Sequence, residues 1–299
     1  MNICYEIGSR LYRRRIKART VDTTNASQSA AAYWDWQLRT SPEYFAKCLD
    51  LMDRLPGARV LDIGCGLGGR TCYLATQGVR SMVAIDINTD EIARAKELVQ
   101  RVNEPDIRSL ISFQAVKEGV PLDMDPFDIV LLVDSMEHVR DPVAMLNLAY
   151  SMTRPGGVCY FSTMGWYHYS ASHVGGIIPI PFLTLLFDDK TILDAVRRIV
   201  SMPEYRRSMW DSDPPVLRWE NVNDLHDRPG EYLNKITVRG LRQAMNKSRF
   251  AGGRLRVMGF SWRRHSWMRW LNVLTRIPVI QEAYHSAVFG RLERNGSEL

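Results

Sequence analysis

The run RVLDIGCGLGGRT, from Arg59 to Thr71, constrains this chain more than any other segment. Val60, Leu61 and Ile63 read as a buried strand, glycines follow at Gly64, Gly66, Gly68 and Gly69, and a helix begins where they end. Glycine is needed where the backbone turns through dihedrals closed to other residues, and where a ligand must approach bare main chain. A helix start placed there offers unpaired N–H groups to an anionic group. Strand, glycine turn and helix in this order predict a loop for a nucleotide-type ligand.

The glycines alone leave two ligand classes open. Gly64, Gly66 and Gly69 satisfy the dinucleotide pattern G-x-G-x-x-G, and Asp86 stands at the ~20-residue spacing of a ribose-binding acid. Asp62 separates the two classes. It sits two positions before the first glycine, where a carboxylate repels a pyrophosphate and attracts an ammonium or sulfonium.

Downstream, strands alternate with amphipathic helices: Ser81 to Ile87, Leu110 to Val116, Phe127 to Val133 and Val158 to Thr163. The almost unbroken apolar run of Phe127 to Val133 is expected of a strand buried on both faces. Asn88 reads as the cap of a helix with Ile92, Ala95, Val99 and Val102 on one face, and Asp141-Pro142 starts another. This rhythm predicts an α/β, doubly wound, mostly parallel sheet of Rossmann-like type. Upstream, Ser41-Pro42-Glu43 reads as a helix start, continued by Phe45, Cys48, Leu49, Met52 and Leu55 and stopped by Pro56-Gly57. Met1 to Ser29 is polar and basic with little periodicity and reads as a loosely attached arm.

At this point the residues resemble a family. Asp62 to Gly68 is similar to the D-x-G-x-G-x-G signature of class I S-adenosylmethionine-dependent methyltransferases, of the kind found in ubiquinone-pathway O-methyltransferases. VAIDIN (Val83 to Asn88), FDIVLLVDSMEHV (Phe127 to Val139) and RPGGVCYFST (Arg154 to Thr163) follow in the family's order. The resemblance implies a seven-stranded sheet closed by an antiparallel pair, Arg254 to Trp262 and Ala287 to Arg294, with a substrate cap inserted after the fifth strand. The expected layout is an N-terminal arm and lid (1–40), an S-adenosylmethionine-binding core (41–163), a capping insertion (164–236) and a C-terminal helix with closing strands (237–299). Tyr33, Trp34 and Trp36 fit either core filling or the lid. The resemblance assigns the cofactor to Asp62, Gly64, Cys65, Gly66, Gly68, Asp86, Ile87, Gln114, Ala115 and Asp134. Gln114-Ala115 departs from the usual acid-alanine pair, although an amide carbonyl still accepts from an adenine amino group.

The methyl donor is already activated, so the protein has mainly to align and desolvate the reactants. For a hydroxyl acceptor a base assists, and His138, just after the fourth strand, is the first candidate, with His168 and His173 on the cap behind it. No metal is expected, although Asp134, Glu137 and His138 resemble the acid-x-x-Glu-His segment of relatives that hold a divalent cation. Asp134 stands there in place of glutamate and has a shorter reach.

Composition narrows the rest. Five scattered cysteines without C-x-x-C argue against a disulfide framework or a zinc site, and point to a reducing cytoplasm. The longest apolar stretch, Gly175 to Phe187, is too short to span a bilayer and carries two prolines. The net charge of +6 is mild but clustered, at Arg10 to Arg19 and in SWRRHSWMRW, Ser261 to Trp270. The resemblance implies an acceptor that is a small organic hydroxyl of a phenol, quinone precursor or sugar, and the apolar stretch with the Trp/Arg segment leaves open a lipid-linked one met by peripheral membrane contact. Nucleic acid is discounted, because the only D-P-P, Asp213 to Pro215, lies far from the fourth strand. The alternatives are an NAD(P)-binding oxidoreductase and a non-catalytic relative that only binds the nucleoside.

Overall fold

Strands β1 (Arg59–Ile63), β2 (Ser81–Asp86), β3 (Ile111–Ala115), β4 (Phe127–Val133), β5 (Thr153–Thr163), β6 (Arg254–Met258) and β7 (Ala287–Glu293) form one sheet, ordered β3-β2-β1-β4-β5-β7-β6. The computed structural model describes residues 2–17, 26–169, 174–205, 233–250, 252–260 and 266–296. The pairs β1–β2, β1–β4, β2–β3 and β4–β5 are parallel, whereas β7 runs antiparallel to both β5 and β6. The winding direction reverses between β1 and β4, which opens a crevice at their C-terminal ends.

Alternation along β4 divides the core. Val130 and Leu132 face helices α7 (Pro142–Met152) and α10 (Val238–Lys247) through Leu146, Ala149, Leu241 and Met245. Ile129 and Leu131 face the opposite layer, with Phe45, Leu55, Leu74 and Phe289. Helix α4 (Gly69–Ala75) follows the glycine loop, α5 (Thr89–Leu98) follows β2, and α6 (Pro105–Ser109) precedes β3. Asn88 caps α5 by accepting from the amides of Asp90 and Glu91, and Thr237 caps α10 by accepting from Gly240.

The N-terminal region departs from expectation. Helix α1 (Ile3–Lys17) is no loose arm. Cys4, Gly8 and Tyr12 lie on one stripe against α9 (Asp189–Val200) and share a core with Ile178, Ile192, Val196 and Ile199. Gly8 permits the approach, since a Cβ there would meet Ile178 at 3.0 Å. Helix α2 (Ala26–Phe45) runs through Pro42, where a helix start was expected. The hydroxyls of Thr40 and Ser41 back-bond to the carbonyls of Trp36 and Gln37 at 2.8 and 2.6 Å in the turn before the proline. The expected continuation to Leu55 is interrupted at Leu49, whose φ is 42°, and resumes as α3 (Leu51–Arg54). Its apolar residues still pack on the sheet.

In the insertion, α8 (Leu183–Leu186) and α9 enclose Trp166, Val174, Ile177 and Leu183. The Asp213 to Pro215 motif lies outside the described residues. The strand expected to reach Trp262 ends at Met258, and the aromatic and arginine-rich segment after it is a 3-10 helix over Ser266–Arg276.

Candidate cofactor and active site

The glycine loop leaves β1 at the crevice. Gly64, Gly66 and Gly68 have φ of 80°, 53° and 74°, the left-handed region closed to most side chains. Five of its amides are committed within the protein. Gly64 and Cys65 donate to the Ile85 carbonyl, Gly66 to Asp86 Oδ2 at 2.9 Å, Gly68 to the Cys65 carbonyl and Gly69 to Gln37 Oε1 at 3.2 Å. The expectation of a helix start with open N–H groups for an anion is thereby corrected at Gly69, whose amide goes to the α2 side chain. Gly68 and Gly69 serve packing, since Cβ atoms there would lie 2.5 Å from Phe113 and 2.7 Å from the Trp34 carbonyl.

Carboxylates surround this loop. Asp62, 3% exposed within β1, accepts from Thr71 Oγ1 at 2.7 Å. Burial lifts its pKa to about 6; the Thr71 hydrogen bond opposes this, nearby Asp86 adds to it, and Arg70 opposes it. Asp86, at the end of β2, also accepts from the Asn88 amide at 2.9 Å. Glu91 Oε2 lies 3.0 Å from where a Cβ on Gly66 would stand. The Cys65 thiol registers this field: burial first, then Asp62, Asp86 and Glu91, push its pKa well above the usual value. Arg70 offsets this only in part, at Asp62, because its guanidinium is paired with Asp134 at 2.8 Å and stacked on Tyr44 at 3.6 Å. A loop with acidic walls and most of its amides committed fits a cationic nucleoside and disfavours a pyrophosphate.

The other predicted residues distribute as follows. Cys65 turns its side chain into the cluster of Trp34, Leu67 and Cys72, which leaves only its backbone on the crevice side. Ile87 is half-buried after β2. Gln114 is half-buried and Ala115 exposed at the end of β3, in register with Ile85 and Asp86. Asp134, with φ of 51°, accepts from Tyr44 Oη at 2.5 Å, and Ser162 Oγ lies within hydrogen-bond distance of both. Burial, followed by the Asp134 charge, raises the Tyr44 pKa far above its usual value.

His138 is half-buried on the turn after β4, its amide donating to the Ser135 carbonyl at 2.9 Å. His168 is buried in the insertion with its ring 5.1 Å from that of His285, and His173 lies outside the described residues. His285 Nδ1–H donates to the Gln281 carbonyl at 2.7 Å while Nε2 accepts from the Gly165 amide at 3.2 Å, an arrangement open only to the neutral ring. Burial lowers the pKa of both histidines to about 4.

Asp134, Glu137 and His138 do not fit a divalent cation. The Arg70 guanidinium already occupies Asp134, and buried Glu137 accepts from Thr163 Oγ1 at 2.6 Å on β5. Among the described residues, no group of three His, Cys, Asp or Glu could hold a metal. Residue reading missed Tyr44, Arg70, Thr71, Glu91 and Ser162. Arg70 and Thr71, which end the glycine run, carried the only signal. Tyr44 reaches the site through a 90-residue separation that no local pattern displays. Of the three early aromatics, Trp34 is core, while Tyr33 and Trp36 stack on each other at 5.7 Å, with Trp36 towards Arg70.

Comparison with known proteins places the chain in a family. The chain is 31% identical over 144 residues to the ubiquinone biosynthesis O-methyltransferase of Paracidovorax citrulli, covering 46% of this chain and 59% of that one. It is 36% identical over 112 residues to the protein of the same name from Xanthomonas campestris pv. campestris, covering 37% and 44%. The chain thus spans about half the length of the curated relatives it matches. Among solved structures, a candidate sarcosine dimethylglycine methyltransferase from Galdieria sulphuraria aligns over 87% of this chain and 86% of its own, at 14% identity and a TM-score of 0.49. A family model described as a methyltransferase domain matches residues 37–247, well over half of the 299. The chain belongs to the methyltransferase-domain family.

Proposed function

We propose that this chain transfers a methyl group from S-adenosylmethionine to a hydroxyl of a small organic acceptor, of the phenol or quinone-precursor class that the relatives' name indicates. The observation that carries the reading is the buried Asp62 carboxylate beside a glycine turn whose five glycine and cysteine amides are already committed. When bound, the cofactor supplies a methyl on a positively charged sulfur. Asp62 and Glu91 attract the cationic end. Each oxygen of the Asp86 carboxylate keeps a lone pair for the ribose hydroxyls beyond the two amides it serves. Gln114 and Ala115 line the adenine side, with Ile87 against the base.

On the acceptor side, Arg70, Tyr44 and Ser162 fix Asp134 at the mouth of β4, and His138 follows on the next turn. A neutral imidazole there takes the hydroxyl proton as the oxygen attacks. His168, whose pKa lies near 4, is the weaker base. Residues 164–236 serve as the substrate cap, and Tyr33 and Trp36 of α2 serve as a lid over the loop.

The test is transfer of labelled methyl from S-adenosylmethionine to a panel of phenols and catechols, with wild type and His138→Gln. Transfer by wild type with kcat at least tenfold lower in the variant is expected. Binding of the cofactor without transfer to any hydroxyl would favour the non-catalytic relative.

A further inference from the structure

The 3-10 helix Ser266–Arg276 is unusual in length, since such helices seldom exceed one turn. Three residues per turn bring positions i, i+3 and i+6 into line. Trp267, Trp270 and Val273 therefore form one ridge, and Arg269, Asn272 and Thr275 another. The first ridge faces water: Trp267 is 70% exposed, Trp270 65% and Val273 51%, and Val279 just beyond is 83% exposed. Two tryptophans left this open in a chain that buries Trp34 and Trp166 mark an interaction surface.

The second ridge borders a groove of about 620 Å³ against β6, lined by Arg242, Arg256, Arg269 and Arg276. No carboxylate is among the groove's lining residues, and among the described residues none pairs with these four arginines. Among the described residues, Arg242 donates only to the neutral Gln281 amide, at 3.2 Å.

We infer that this face docks the protein on an anionic lipid bilayer, with Trp267, Trp270 and Val279 entering the interface and the arginine groove taking lipid phosphates. Tryptophan favours the depth of the headgroups, and arginine binds phosphate in a bidentate fork. Among the described residues no helix is long and apolar enough to cross a membrane, so the contact is peripheral. The face is tied to the insertion. Asn272 Nδ2 donates to the Phe260 carbonyl at 2.9 Å, its Oδ1 accepts the Phe260 amide at 3.0 Å, and the Phe260 ring meets Tyr169 at 5.4 Å. Docking would thus set the proposed cap close to the bilayer. An acceptor drawn from the lipid phase rests on the methyl-transfer reading; the docking does not.

Flotation of the full chain with vesicles tests this, using equal parts phosphatidylglycerol and phosphatidylcholine against phosphatidylcholine alone. Wild type is expected to float with the anionic vesicles only, and to be released as salt is raised. Trp267→Ala/Trp270→Ala and Arg269→Glu/Arg276→Glu are each expected to lower partitioning about tenfold or more. Their melting temperature and affinity for S-adenosylmethionine are expected to stay as in wild type, which separates failure of docking from failure of the cofactor site. Recovery of wild type wholly in the soluble fraction overturns the inference whatever the variants do. So does a dimer in sedimentation that the tryptophan variant dissociates while vesicles recover nothing, because the patch would then be covered by a second copy.

Discussion

Asp62→Asn separates stability from binding at a single atom. The buried carboxyl is raised from 3.8 to about 6, which sets ~3 kcal/mol against its charged form at neutral pH, at 1.36 kcal/mol per pH unit. The folded state therefore binds more protons than the unfolded between pH 3.8 and 6, so this group's contribution to stability falls as pH rises through that window. Asparagine keeps the shape and can still accept from Thr71 Oγ1. The ligand-free variant should be more stable than wild type at pH 7, by up to ~3 kcal/mol, and equal to it near pH 4. Binding should move the other way. Without the charge, Kd for S-adenosylmethionine should rise roughly a hundredfold at pH 7. In wild type, affinity should weaken below pH 6, because the ligand's positive charge must then expel a proton. Urea titrations at pH 4 and 7, with calorimetry in buffers of different ionisation enthalpy, read each quantity. A variant that is less stable at pH 7 and binds the nucleoside as wild type does would refute the electrostatic account.

Gly69→Ala places a Cβ 2.7 Å from the Trp34 carbonyl; it should cost about 1–3 kcal/mol by prising α2 from α4, read as a lower urea midpoint. His168 and His285, both near pKa 4 when folded against 6.5 when free, leave the folded state with fewer protons than the unfolded. Their contribution to stability is therefore fully present above pH 6.5 and lost as pH falls to 4. Two such histidines outweigh the opposite trend from Asp62, so the urea midpoint should drop across that range. Activity should be indifferent to EDTA, since Arg70 occupies Asp134; loss on chelation that magnesium restores would contradict that.

Much of the sheet was legible because its signals are local. The apolar run of β4, the Asn88 and Asp141 caps and the glycine turn each need only a few neighbours, and each stands where the residues predicted. Helix α1 escaped because its buried stripe is Cys4, Gly8 and Tyr12, which has no large aliphatic side chain and is set within a run of arginines. The break at Leu49 escaped because Cys48 and Leu49 keep helical spacing although the backbone turns left-handed between the two segments. In the site, Asp62 and Asp86 were readable from their distance to the glycines. The Tyr44–Asp134–Arg70 cluster was not, since it joins α2, β4 and α4 across the fold. The same holds for Gly69, which reads as part of a ligand loop and in fact makes room for α2.

The measurement that bears most directly on the account is equilibrium calorimetry of wild type at pH 7 with S-adenosylmethionine, its demethylated product and NADH in turn. The acidic walls and committed amides predict saturable binding of the first two, both of which carry an ammonium, and none of the third. Binding of NADH, or of neither sulfur nucleoside, would contradict it.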